Sequence, residues 1–130
     1  MDKDIADFTL KYAESKKVDY AEVRAHSTEY EELAMKNGVL DAYAQMIDSG
    51  FCVRILAKGG LGFASTNRWT KEEARDIVDI ACKYATTAKR KDGITFAEEK
   101  SVKTSWKVDE KKKILNVTPE TRIETLTDLD

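Results

Sequence analysis

The dipeptide Asn37-Gly38 lies between two stretches of alternating side chains, and it constrains the fold more than any other feature. Both residues tolerate positive φ, as the two-residue turn of a β-hairpin demands. Before it, Tyr20, Glu22 and Arg24 alternate with Ala21, Val23 and Ala25, as on a strand with one buried face. The run continues through Leu33 to Met35, and Val39 to Ile47 reads as the return strand, with Ala42, Ala44 and Met46 on one side. Asp48-Ser49-Gly50 reads as a second turn. Phe51, Val53 and Ile55 then alternate with Cys52, Arg54 and Leu56, and Lys58-Gly59-Gly60 turns the chain into Leu61-Gly62-Phe63-Ala64. Three turns between four extended segments predict a four-stranded antiparallel meander over residues 19–66.

Helical periods flank this region. Residues 4–17 carry Ile5, Phe8, Leu10, Tyr12 and Ala13 among charges. Thr70 and Glu73 have the spacing of a capping box, in which each side chain satisfies an orphan backbone N–H. Ala74, Ile77, Val78, Ala81, Ala85 and Ala88 follow as one apolar stripe, whose small side chains favour close approach to the sheet. Lys89, Arg90 and Lys91 suit the negative end of that helix, and Gly93 can terminate it. Residues 94–117 place Ile94, Phe96, Val102, Trp106 and Val108 among Lys and Glu without a helical period. Thr118-Pro119-Glu120 has the grammar of a new helix, with Ile123 and Leu126 on its apolar side. Asp128-Leu129-Asp130 then sets acidic groups against the helix dipole, so the helix reads as truncated and the chain as the N-terminal piece of a longer protein. The expected fold is α+β: an N-terminal helix, a four-stranded antiparallel meander, a capped helix, an extended tail and a truncated C-terminal helix. Residues 1–93 form the expected helix-meander-helix core, and 94–130 a connector toward an absent C-terminal domain.

Composition narrows the function. The 130 residues hold 22 Lys+Arg against 24 Asp+Glu, a net charge of -2 that argues against nucleic acid as a general partner. One histidine excludes any site built on two imidazoles, and two cysteines make no disulfide framework. No apolar run spans a membrane, and Met1-Asp2-Lys3-Asp4 lacks the basic start of a signal peptide, so the expected setting is the cytoplasm without membrane attachment.

Single residues offer little chemistry. His26 lies on a predicted strand with no nucleophile supplied by any motif, and reads as a surface residue. Cys52 and Cys82 lack metal-ligand spacing and read as small core side chains. Gly59-Gly60-Leu61-Gly62 precedes a strand rather than a helix, so it reads as a hairpin and not a phosphate loop. Asp48, Glu72, Glu73 and Asp76 form no spaced carboxylate pair. From Lys89 to Lys113 nine basic residues meet five acidic ones, but with Trp106 as the one tryptophan among them the stretch makes a weak nucleic-acid site. Asn116-Val117-Thr118 matches a glycosylation triplet, with Pro119 after it and no export signal. No catalytic, cofactor-binding or metal-binding residue is therefore assigned within the chain.

An ordered set of segments goes further. Asp19-Tyr20-Ala21-Glu22-Val23-Arg24, Lys36-Asn37-Gly38, Asp48 through Leu56, Gly62-Phe63-Ala64-Ser65-Thr66-Asn67 and the capped helix from Thr70 follow in sequence. Together with Thr118-Pro119-Glu120-Thr121-Arg122-Ile123-Glu124, they resemble the N-terminal domain of the TldD/PmbA metalloprotease family, also called putative modulators of DNA gyrase. Val53-Arg54-Ile55 and Gly62-Phe63-Ala64 look closer to the TldD type. The resemblance implies a zinc-dependent peptidase whose metal is held by a HExxxH helix and a later cysteine in a C-terminal part, beyond Asp130. It also implies peptide or unfolded polypeptide substrates, and a homodimer or a heterodimer with a paralogue. This domain would then build the dimer and wall the route to the active site. The alternative is a stand-alone interaction module linked to nucleic acid or gyrase through Lys111, Lys112 and Lys113.

Overall fold

The computed structural model describes residues 3–88 and 90–129. Met1, Asp2, Lys89 and Asp130 lie outside the described residues, so the N-terminal charge pattern, the helix-end role of Lys89 and the last acidic residue are not placed. The element order is α1 (Lys3–Ser15), β1 (Tyr20–Lys36), β2 (Val39–Ala57), β3 (Gly60–Thr66), α2 (Lys71–Thr87), a short 3-10 turn (Ile114–Asn116) and α3 (Pro119–Thr127). The class is α+β, as expected, but the sheet has three strands in the order β1-β2-β3.

The expected turn at Asp48-Ser49-Gly50 does not form. β2 runs unbroken through it for 19 residues. Gly50 does not have positive φ; it is glycine because a Cβ there would stand 2.7 Å from the carbonyl oxygen of Thr66. Close approach to β3, rather than a bend, selects the residue. The two real turns have left-handed backbone, at Asn37 (φ 52) and Gly38 (φ 71), and at Lys58 (φ 53) and Gly59 (φ 75). β2 pairs antiparallel with β3 from Phe51↔Thr66 to Ala57↔Gly60.

Contacts divide the chain into two compact units, Met1–Thr28 with Ile47–Ala97, and Glu29–Met46 with Glu98–Asp130. The first contains the core. Phe51, Val53 and Ile55 of β2 point to one side and meet Ile5 and Ala13 of α1 and Ala74, Ile77, Val78, Ala81 and Ala85 of α2. Burial of each larger side chain contributes about 1.5–3 kcal/mol. Ala21, Val23 and Ala25 of β1 pack against the same core, as their alternation predicts. Thr9 is buried among them and satisfied, its hydroxyl donating to the Ile5 carbonyl at 2.6 Å.

Helix α2 lies on β3 almost backbone to backbone. A Cβ at Gly62 would fall 1.9 Å from the Ala81 carbonyl oxygen, and one at Gly60 would fall 2.1 Å from that of Ala85. Thr70 caps the helix, accepting the Glu73 N–H at 3.2 Å. The capping box is only half made: the Glu73 carboxylate instead accepts from the Thr66 hydroxyl at 3.1 Å and pairs with Arg68. The helix ends at Thr87, capped by Ala88, ahead of the expected stop at Gly93. By Ala88 it has passed the start of β3 at Gly60, and the apolar stripe has no further surface to cover. Gly93 lies beside Gly59, where the Ile94 N–H donates to the Gly59 carbonyl at 3.0 Å.

In the second unit, α3 starts as its sequence predicts, with Thr118 accepting the Thr121 N–H and Pro119 opening the helix. Ile123 and Leu126 are half-buried. Arg122 on this helix pairs with Glu31 of β1.

Candidate functional site

The side chains that alternate with the core residues form a second face of the sheet. In the first unit β1 contributes Tyr20, Glu22, Arg24 and His26, while the register pairs Cys52 with Ser65, Arg54 with Phe63 and Leu56 with Leu61. Glu22 is the hub. Its carboxylate accepts from Arg54 at 2.5 Å, from Arg24 Nε at 2.6 Å and from the Tyr20 hydroxyl at 2.9 Å. Burial alone would raise this carboxyl, but the bonds from Arg54, Tyr20 and Arg24 outweigh it and hold Glu22 below the ordinary carboxylate range. The bond to Glu22 in turn pushes Tyr20 up and keeps Arg54 charged. Phe96 closes the group, edge-on to Tyr20 with ring centroids 4.8 Å apart and 5.5 Å from the Arg54 guanidinium.

Chemically this arrangement suits holding side chains in position better than proton transfer. A general base needs a free lone pair and a pKa near the working pH. Glu22 is poorly suited to this, since three donors engage its two oxygens and hold the carboxyl below its ordinary range. Arg24 is 70% exposed and keeps guanidinium donors toward solvent.

The other sequence candidates fall into place around it. His26 Nε2 lies 3.4 Å from Asp48 Oδ2, two candidates that the strand pairing brings together. Both side chains are exposed, so the pair is a weak surface contact. Cys52 and Cys82 are free and half-buried. Burial, helped by Asp79, pushes the Cys82 thiol up, away from reactive thiolate. Gly59-Gly60-Leu61-Gly62 forms the β2–β3 turn and the strand under α2, as the hairpin reading predicts. Glu72 and Asp76 are exposed on α2, far in role from the engaged Glu73. Trp106 is 83% exposed, and Lys111, Lys112 and Lys113 are exposed with it. Asn116 ends the 3-10 turn.

Sequence reasoning missed two groups. The Glu22 hub carries a faint signal, because alternation sets Tyr20, Glu22 and Arg24 on one face opposite the core. The Glu31–Arg122 pair carries none, being 91 residues apart. Among the described residues, no three His, Cys, Asp or Glu side chains gather as a metal site would require. Nor is any described helix long and apolar enough to cross a membrane.

Comparison with known proteins places this geometry. The family model of PmbA/TldA metallopeptidase domain 1 matches residues 21–85, from β1 to the last turn of α2. A curated metalloprotease of Methanocaldococcus jannaschii is 31% identical over 67 residues, covering 52% of this chain and 15% of that protein. The crystal structure of TldE from Thermococcus kodakarensis superposes with a TM-score of 0.74 at 14% identity, over 95% of this chain and 28% of that one. The latter likeness establishes the fold, and the chain spans less than a third of either relative. By the match over residues 21–85, the chain belongs to the PmbA/TldD metallopeptidase family and carries its first domain.

Proposed function

We propose that this chain is the N-terminal, non-catalytic domain of a TldD-like zinc metalloprotease that hydrolyses peptide bonds when intact and works in the cytoplasm. The domain's own part is to help assemble a dimer and to wall the path by which a peptide or unfolded polypeptide reaches the metal. The observation that carries this reading is the domain 1 match over residues 21–85, on a chain with a single histidine. A zinc site built on two imidazoles therefore has to draw on residues outside these 130. The second face of the sheet supports a recognition role, since Glu22, Arg24 and Arg54 are fixed in place yet Arg24 remains exposed.

The test uses the parent open reading frame. Peptide cleavage should be lost on zinc chelation and return when zinc is added, while the 130-residue chain alone should cleave nothing. Cleavage that persists without metal, or that the isolated chain performs, overturns the proposal.

A further inference from the structure

The free edge of β3 has the form of an acceptor for one more strand. In a hairpin with a two-residue turn, the flanking pair Ala57↔Gly60 exchanges hydrogen bonds, and alternate residues beyond it point the other way. The backbone N–H and C=O groups of Leu61, Phe63 and Ser65 therefore face the edge, where no further strand is paired among the described residues. Above that edge, α2 presents a second apolar flank. Its α1 side is taken by Asp79, bonded to Lys16 at 2.7 Å and to Tyr12, and by Arg75 over Phe8. On the opposite side, Ile80 and Tyr84 lie one turn apart and are 43% and 56% exposed. The slot thus lies between the β3 edge and the Ile80–Tyr84 flank of α2; Phe63, 54% exposed, projects from the opposite face of the same edge, and exposed Asp76 stands toward the Thr66 end on the α2 side.

The chain also carries a segment that matches this slot. From Lys100 to Val108 the even positions read Lys, Val, Thr, Trp, Val, a strand pattern of basic end and apolar face. Val102, Trp106 and Val108 are 77%, 83% and 53% exposed, and residues 90–113 contain no helix or strand. Beyond Phe96, which is held against Tyr20 and Arg54, residues 97–113 form an arm that reaches about 55 Å when extended, far enough to bridge to a neighbouring molecule. We propose that residues 100–108 of a second copy of this chain add antiparallel to β3 as a fourth strand, each copy receiving the other's arm. In this orientation Lys100 meets Asp76, and the apolar face passes beneath Ile80 and toward Tyr84. Backbone bonds to Leu61, Phe63 and Ser65 supply affinity, and the side-chain row supplies register. The proposal deepens the assembly role given above; its test reads self-association rather than cleavage, so the two fail separately.

Sedimentation of the 130-residue chain over a dilution series, with amide exchange at both ends, tests it. A concentration-dependent dimer is expected, with the Leu61, Phe63 and Ser65 amides protected only in the dimer. Trp106→Ser, at a position too exposed to affect folding, should weaken the dimer about tenfold or more. Asp76→Lys should weaken it as well, and combination with Lys100→Asp should restore it. A chain that stays monomeric at every concentration, a dimer whose β3 amides remain unprotected, or a charge swap without rescue overturns the proposal.

Discussion

Arg122 of α3 donates from its guanidinium to the carboxylate of Glu31 on β1, joining residues 91 positions apart with side chains only 15% and 16% exposed. The pair is single-pronged: Glu31 Oε1 and Arg122 Nε are buried with no hydrogen-bond partner. The pair therefore combines ionic attachment with unpaid desolvation. Nearby Tyr43 is pushed up by burial first and then by Glu31. Arg122→Ala should cost about 2 kcal/mol, less than the ~3–5 kcal/mol of a fully buried pair, because some exposure relieves the stranded Glu31. The double variant Glu31→Leu with Arg122→Leu should be more stable than either single change. Urea unfolding measures all three, and equal losses in the single and double variants would refute the argument.

Replacement of Gly62 by alanine should be far worse than replacement of Gly38. At Gly62 the added carbon meets the Ala81 carbonyl at 1.9 Å and the Ala85 nitrogen at 2.7 Å, both backbone atoms that cannot step aside. A loss of about 3 kcal/mol or more, or no folded protein, is expected. At Gly38 the added carbon meets nothing within 4 Å, and only the φ of 71° is strained, at a cost of about 1 kcal/mol. Thermal melts of the two variants side by side decide it.

Stability should fall on acidification in part through Glu22. Its folded pKa lies below the ordinary value of 4.5, so its contribution is full above that value and disappears as the pH drops through the folded one. Glu22→Gln should lower stability at neutral pH and flatten the dependence between there and strong acid. Urea midpoints across the pH range provide the measurement, and an unchanged slope would count against the hub.

The Cys82 thiol should alkylate slowly at neutral pH. Burial raises its pKa and Asp79 adds to the effect, leaving little thiolate to react. Mass spectrometry of the chain after timed exposure to iodoacetamide reads the rate. Lys16→Ala removes the one nearby cation that opposes the shift, and should slow the reaction further.

Thr70→Ala should cost about 1 kcal/mol by freeing the Glu73 N–H at the start of α2. Glu73→Gln tests the other half of the capping pattern. Because that carboxylate serves Thr66 and Arg68, its loss should loosen the β3–α2 connection rather than the cap. Local amide exchange at residues 66–70 distinguishes the two.

Local features were legible in the sequence wherever one physical cause dominates. Asn37-Gly38 marks a hairpin because little else asks for two left-handed residues in succession, and Thr118-Pro119 marks a helix start for similar reasons. Gly50 misleads because glycine answers two needs, backbone freedom and lack of bulk, and sequence does not separate them. The meander consequently loses one turn and one strand. Glu73 misleads likewise, since a carboxylate at that spacing can turn back to its own helix or outward to Thr66 and Arg68. Glu31 and Arg122 were illegible altogether: each is an ordinary surface-type residue until distant parts of the chain meet.

The glycine contact between β3 and α2 inverts the usual map of what a domain tolerates. Where a core is built from interlocking side chains, apolar positions resist change and glycines in strands are freely replaced. Here the strand and helix meet through their main chains at Gly60 and Gly62, so neighbouring apolar residues can be exchanged for others of like volume while the smallest residues cannot grow. A library randomised across residues 51–85 should thus recover variety at Val53, Ile55 and Val78, and almost none at Gly60 and Gly62.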